Sequence, residues 1–139
     1  MPRNKLSLML TLGQFAFRDK SVILLTQGLG AQRFHGRVVM LVNEWTNSAA
    51  EMVASFAKEN GLATLVGTTT AGNVLGAANF AVGSGYWLRV PVFGWMTWAG
   101  ECLEGNGVTP DVAVEADAES LSRGLDPQFE KALSALSEM

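Results

Sequence analysis

The feature of this chain most able to do chemistry is a serine followed three residues later by a glutamate, where an apolar run hands over to a helical pattern. The handover reads Asn43, Glu44, Trp45, Thr46, Asn47, Ser48, Ala49, Ala50, Glu51. A serine in the first turn of a helix lies near amides that lack an intrahelical acceptor and near the positive end of the helix dipole. Both stabilise an alkoxide or the oxyanion of an acyl intermediate, and the Ala49 amide, next after the serine, is suited to donate one such bond. The same Ser-x-x-Glu spacing is also a capping box, with Thr46 and Asn47 as further N-cap candidates. On spacing alone the cap is the simpler reading, so a nucleophile needs further support.

Other chemistries find less. Gly67 to Val74 has the glycine spacing of a phosphate loop after a strand, but that loop needs a lysine followed by serine or threonine. Asn73 and Val74 stand in those places. Cys102 is the only cysteine and His35 the only histidine, so neither a disulfide framework nor a Cys/His metal site is available. Cys102 is expected as a small buried hydrophobe. Asp111 after Pro110 reads as a turn residue opening a strand, and Glu59 beside Lys58 as a solvated charge.

The elements that position these residues follow from periodicity. Arg37 to Asn43 is a continuous apolar run, read as a strand buried on both faces. From Ser48 to Asn60 the residues Ala49, Met52, Val53, Phe56 and Ala57 recur at helical spacing, predicting an amphipathic helix with those residues inward and Gly61 just past its end. Leu62 to Val66 is a second short strand, so strand, helix and strand make a parallel crossover. Ala78–Val82 and Tyr86–Val92 flank Gly-Ser-Gly and predict a hairpin. Trp95–Trp98 and Asp111–Val114 read as short strands, and Glu119–Arg123 and Pro127–Met139 as terminal helices. The fold class is therefore α/β, a mostly parallel sheet with antiparallel hairpin additions. Phe80, Tyr86, Trp87, Phe93, Trp95, Met96 and Trp98 are expected to pack in the core, or else to line a pocket for an apolar ligand.

The 139 residues make one ordinary domain or a piece of a larger one. Net charge is -3, which argues against general nucleic-acid binding. It is unevenly spread: residues 1–40 carry six basic side chains against Asp19, a local +5, and the remainder four against twelve, a local -8. The longest aliphatic run, Val38 to Val42, is far short of a membrane span. Arg3 and Lys5 precede Leu6, Leu8, Met9 and Leu10 in the manner of a short signal peptide, but no small-x-small cleavage site follows. A segment of a longer fold is the preferred reading.

The stretch from Gly36 to Gly67, with Ser48 and Glu51 inside it, resembles the catalytic core of the C-terminal processing (tail-specific) serine peptidases. The Gly-x-x-Thr-x-Gly turn of that family is matched by Gly67, Thr70 and Gly72, and its closing signature by Glu104, Gly105, Gly107, Val108, Pro110 and Asp111. The resemblance runs over about residues 20–115 and puts the family nucleophile on Ser48. Asn73 stands where the lysine-dependent branch carries its base, and Ala77 where it has a glutamine. An amide cannot take a hydroxyl proton at neutral pH. The Thr-Ala-Gly-Asn form is similar instead to the tricorn and retinoid-binding branch. For tricorn-like members the resemblance implies a histidine base and an assisting glutamate, which here fall on His35 and Glu104. A surface-loop histidine is the preferred reading of His35, because the branch's histidine lies much farther upstream, and the base and part of the oxyanion hole are then expected outside this segment. The upstream Asp-Leu-Arg-Gly-Asn turn, which supplies the second oxyanion amide, has no match; Gly28 and Gly30 do not fit it.

The resemblance implies a crotonase/ClpP-like β-β-α superhelix and hydrolysis of peptide bonds in unfolded or carboxyl-terminal segments through an acyl-enzyme on Ser48. No metal or organic cofactor is called for. Residues 1–139 are expected to be the C-terminal portion of the catalytic domain, with 1–20 a remnant of upstream fold. The implied partners are a peptide or unfolded-protein substrate, the missing N-terminal part of the same domain, and in some assemblies a second copy. The alternative is an inactive module of the same fold that binds hydrophobic ligands or peptide C-termini.

Overall fold

The computed structural model describes Ala31 and residues 34–138, and the readings placed on residues 1–20 and on Gly28 and Gly30 lie outside them. The chain divides into two compact units, Met1–His35 and Gly36–Met139. The second runs β1 (Val39–Val42), α1 (Ala49–Glu59), β2 (Thr64–Gly67), β3 (Gly76–Gly83), β4 (Tyr86–Phe93), β5 (Val112–Ala113), α2 (Ala118–Ser122) and α3 (Pro127–Glu138). No described helix is long and apolar enough to cross a membrane.

The expected crossover is present. β1 and β2 pair in parallel, Met40 opposite Leu65 and Val42 opposite Gly67, and β2 pairs in parallel with β5. The sheet order β1-β2-β5 makes β2 the central strand. Leu65 and Val66 are successive in an extended strand, so they face opposite sides. Both are 0% exposed, so β2 is covered on both faces. Leu65 joins Val42, Ala54, Val74, Leu103 and Val108 in the core, while α3 packs along β1 and β2. Among the described strands β1 lies at an edge, and it departs from expectation: Leu41 is exposed, so the apolar run is not buried on both faces.

α1 forms where predicted, and Gly61 follows it in the left-handed region. Its orientation is the correction. The buried residues are Glu51, Ala54, Ser55 and Ala57, whereas Ala49, Val53 and Phe56 are exposed and Met52 is half-buried. The helix turns a stripe of small residues toward β2, which permits close approach, and leaves the bulkier apolar stripe outward. Glu51 can lie inward because its carboxylate is fully hydrogen-bonded, the condition for burying a charge.

β3 and β4 form the predicted antiparallel hairpin as a separate two-stranded sheet. Ser84 (φ 49°) and Gly85 (φ 80°) make a turn of two left-handed residues, the backbone that matches strand twist. The expected burial of its aromatics fails: Tyr86, Trp87 and Phe93 are exposed, as are Met96 and Trp98 beyond it, while Phe80 and Trp95 are half-buried. In place of a Trp95–Trp98 strand there is one isolated bridge, Met96 to Cys102. Cys102 is exposed, not the buried hydrophobe expected.

Polar side chains fasten the ends of these elements. Asp117 accepts the Ser120 amide (2.7 Å) at the start of α2, and Asp126 accepts those of Gln128 (3.0 Å) and Phe129 (3.1 Å) at the start of α3. Asp111 does more than open a strand. Its carboxylate accepts the Leu65 amide at 2.8 Å and pairs with Lys58 at 3.2 Å, joining β2, α1 and the closing loop. Glu59 is exposed, as expected, and in addition accepts the Trp98 and Ala99 amides at 3.1 and 3.0 Å.

Candidate active site

Where β1 ends, the chain makes a tight turn before α1. Asn43 and Thr46 fasten it: the Thr46 hydroxyl accepts the Asn43 amide (3.1 Å), and the Asn43 side chain accepts that of Trp45 (3.0 Å). The turn delivers Ser48 to the start of α1 with φ 55° and ψ -125°. A positive φ in a residue other than glycine is uncommon and costs about 1–3 kcal/mol, so it persists only where surroundings enforce it.

The enforcement is visible. The Ser48 amide donates to the Asn73 carbonyl (3.0 Å) and to Glu51 Oε2 (3.0 Å). Ser48 and Glu51 have the reciprocal contacts of a capping box. Within hydrogen-bond geometry, however, the Glu51 amide bonds the Ser48 carbonyl (3.0 Å), and no cap bond comes from the hydroxyl. We therefore take the cap to be made by Glu51 and the Ser48 backbone. Ser48 is exposed, and among the described residues the Ala49 amide has no hydrogen-bond acceptor. An exposed hydroxyl beside an unengaged first-turn amide is an arrangement that can host a developing oxyanion.

Glu51 is the centre of this region and was missed as more than a cap. It is 0% exposed and takes four donors. Oε1 accepts the Thr70 hydroxyl (2.6 Å) and the Gly72 amide (2.6 Å); Oε2 accepts the amides of Ser48 (3.0 Å) and Asn73 (2.9 Å). Burial by itself pushes the carboxyl pKa up, but the bonds from Thr70, Gly72, Asn73 and Ser48 together outweigh it and hold it below the ordinary value. The sequence signal that could have exposed this role is the stripe Glu51, Ala54, Ser55, whose small residues mark the face that approaches the sheet.

The loop after β2 and the closing loop complete the frame. The Thr70 hydroxyl, while donating to Glu51, accepts the Val108 amide at 2.7 Å, and the Ala71 amide donates to the Thr46 carbonyl at 3.0 Å. Gly72 has φ 70°, and a Cβ there would stand 2.9 Å from the Gly107 nitrogen, so only glycine fits between the loops. Glu104, half-buried, accepts the Val74 (2.8 Å) and Leu75 (3.1 Å) amides, fixing the chain immediately after Asn73. Ser48 and Glu104 are thus tied to one backbone frame through residues 73–75. His35 is exposed and belongs to the first unit, whereas this frame is built from the second. A shallow depression lined by Glu101, Cys102, Leu103, Asn106, Gly107 and Thr109 does not include Ser48.

Residues 9–114 match the sequence profile of peptidase family S41. The tricorn protease of Thermoplasma acidophilum is 34% identical over 105 residues, covering 74% of this chain and 10% of that protein. A carboxy-terminal-processing protease of Bartonella bacilliformis is 28% identical over 123 residues, 80% of this chain and 28% of its own length. A crystal structure of the tricorn protease superimposes with a TM-score of 0.68 at 34% identity, again over 74% of this chain and 10% of that one. The chain spans a tenth of the length of the tricorn relative and under a third of the Bartonella protein. Its serine elbow, its threonine-glycine loop and its glutamate-glycine closing loop fall within the matched residues, and the chain belongs to peptidase family S41.

Proposed function

We propose that this chain is the C-terminal portion of a serine peptidase catalytic domain in which Ser48 forms the acyl-enzyme. The Ser48 Oγ attacks a peptide carbonyl carbon while a general base from the part of the domain outside this segment accepts the hydroxyl proton. The Ala49 amide donates to the oxyanion; the C–N bond then breaks and the proton passes to the leaving amine. Water hydrolyses the ester and restores Ser48. Glu104 orients the frame through the Val74 and Leu75 amides. Substrates are peptide bonds in unfolded or carboxyl-terminal segments, in keeping with the names of the protease relatives. The wider domain, with its missing N-terminal part, is a crotonase/ClpP-like superhelix.

The observation that carries this reading is the strained, exposed Ser48 at a helix start, with a neighbouring amide left unengaged. Backbone strain of this kind concentrates at functional sites. The test is to label the full-length protein carrying this segment with a fluorophosphonate and map the adduct. Modification of Ser48 and loss of proteolysis in Ser48→Ala are expected; a label elsewhere, or normal turnover by Ser48→Ala, overturns the assignment.

One observation favours a second reading, an inactive module for hydrophobic ligands: Trp87 and Trp98 are 68% and 82% exposed instead of packed in the core. Saturable tryptophan quenching by retinoids or fatty acids, with no turnover of unfolded substrates, would establish it.

A further inference from the structure

Glu51 enters no step of the reaction above, yet it is the most heavily engaged side chain near Ser48. Its two oxygens divide the work. Oε1 is anchored by Thr70 and Gly72, on the loop that follows β2. Oε2 faces the other way in function, since it holds the amides of Ser48 and Asn73 together, and the Asn73 carbonyl closes the ring by accepting the Ser48 amide at 3.0 Å. A capping glutamate needs only one of these four bonds. The remaining three fix the strained residue against the neighbouring loop, and the strain at φ 55° shows that Ser48 would not rest there unaided.

We propose that Glu51 is the positioning residue of Ser48: its Oε2 clamps the Ser48 and Asn73 amides and so holds the serine in its strained, outward-facing backbone conformation. The inference rests on the acyl-enzyme reading of Ser48. A glutamine in this place keeps the shape but offers one acceptor oxygen, and its NH2 would confront N–H donors. Aspartate keeps the charge on a shorter stem. Thr70→Val removes an Oε1 donor and leaves a Val108 amide unsatisfied, while both Oε2 bonds remain; it is the control for loosening without loss of the clamp.

The experiment measures the rate of fluorophosphonate labelling at Ser48, at saturating and sub-saturating probe, in the full-length protein carrying this segment. Circular dichroism confirms folding of each variant. Glu51→Gln should lower the saturating rate about 100-fold, the scale of a small misplacement of a reacting atom, with the half-saturating concentration unchanged. Glu51→Asp should recover part of that rate, and Thr70→Val should stay within severalfold of the unsubstituted protein although it is less stable. If Glu51→Gln does not fold, a slowed Glu51→Asp beside a near-normal Thr70→Val supports the clamp. Equal slowing in Glu51→Asp and Thr70→Val overturns it, as does a folded Glu51→Gln that labels at the normal rate. An unsubstituted protein that never labels at Ser48 overturns the acyl-enzyme reading as well, which separates the two failures.

Discussion

The loop Gly67–Leu75 and the hairpin Gly76–Phe93 are consecutive in the chain and opposite in character. In the loop, Gly67, Thr70, Gly72 and Val74 are buried, and the amides of Thr70, Ala71, Gly72, Asn73, Val74 and Leu75 all have protein acceptors. In the hairpin, Val82, Tyr86, Trp87, Leu88, Val92 and Phe93 are exposed, and Arg89 is the only charged residue. The region poor in large apolar side chains is the one held rigidly, because its amides are satisfied by protein acceptors, several of them around the buried Glu51 carboxylate. An unsatisfied buried donor costs far more than a made hydrogen bond gains. The frame is thus stiff through satisfaction, and the ribbon is exposed because no described element covers it.

Substituting the hub should give the largest break in that contrast. Glu51→Ala strands four neutral donors and is expected to cost about 3–5 kcal/mol in urea unfolding, since each unsatisfied buried donor costs about 1–3 kcal/mol and water entering the gap recovers part of the sum. The same residue sets a pH dependence. Its folded pKa lies below the unfolded value, so its contribution is complete above the ordinary glutamate range. That contribution is lost as pH falls through the ordinary value toward the folded one. Glu59 adds in the same sense: partial burial raises its carboxyl, and the bonds from Ala99, Trp98 and Thr97 lower it by more. Stability of the unsubstituted chain should fall with acidification below that range, and the slope should flatten in Glu51→Gln if that variant folds.

A backbone probe comes next in size. Gly67 has φ 136°, and a Cβ there would overlap the Val42 carbonyl oxygen across the β1–β2 pair. Gly67→Ala should therefore cost about 1–3 kcal/mol by overpacking. Asp111→Ala leaves the Leu65 amide without its acceptor and removes the ion pair to Lys58, which keeps its bond to the Thr109 carbonyl (2.6 Å); about 1–2 kcal/mol is predicted. Lys58→Met should cost only a small part of that, since an ion pair more than a third exposed on both sides contributes little and the Leu65 amide keeps its acceptor.

Much of this arrangement is legible in the sequence, because local signals carry it. Apolar runs, a helical period, Gly61 and the Gly-Ser-Gly turn each specify structure within a few residues. The serine handover was legible for the same reason: strand end, helix start and Ser-x-x-Glu are contiguous. What failed were inferences about partners. Periodicity found that α1 is amphipathic but took Met52, Val53 and Phe56 as the inward face, since hydrophobicity does not register that a carboxylate can be buried by donors 19 to 22 residues away. Likewise, Asp111 and Glu59 look like ordinary turn and surface residues until their acceptor roles toward Leu65, Trp98 and Ala99 are seen. The aromatics read as core or as pocket lining because composition reports how much apolar surface exists and not where a covering layer ends.

The hairpin supplies the smallest effect and the sharpest test of the contrast. Trp87 is 68% exposed and pairs with Ala81 across the ribbon, so its side chain has little packing to lose. Trp87→Ser should shift stability by less than about 0.5 kcal/mol, an ordinary surface change. Two strands without a covering layer are marginal on their own, so their hydrogen bonds should open without global unfolding. Amides of β3 and β4 are accordingly expected to exchange before those of Leu65 and Val66 in β2, whose side chains are fully buried. Equal protection in the two sheets would mean that the ribbon is covered in solution. Trp87→Ser should then cost as much as a core truncation, and the division between a stiff frame and an open ribbon would have to be abandoned.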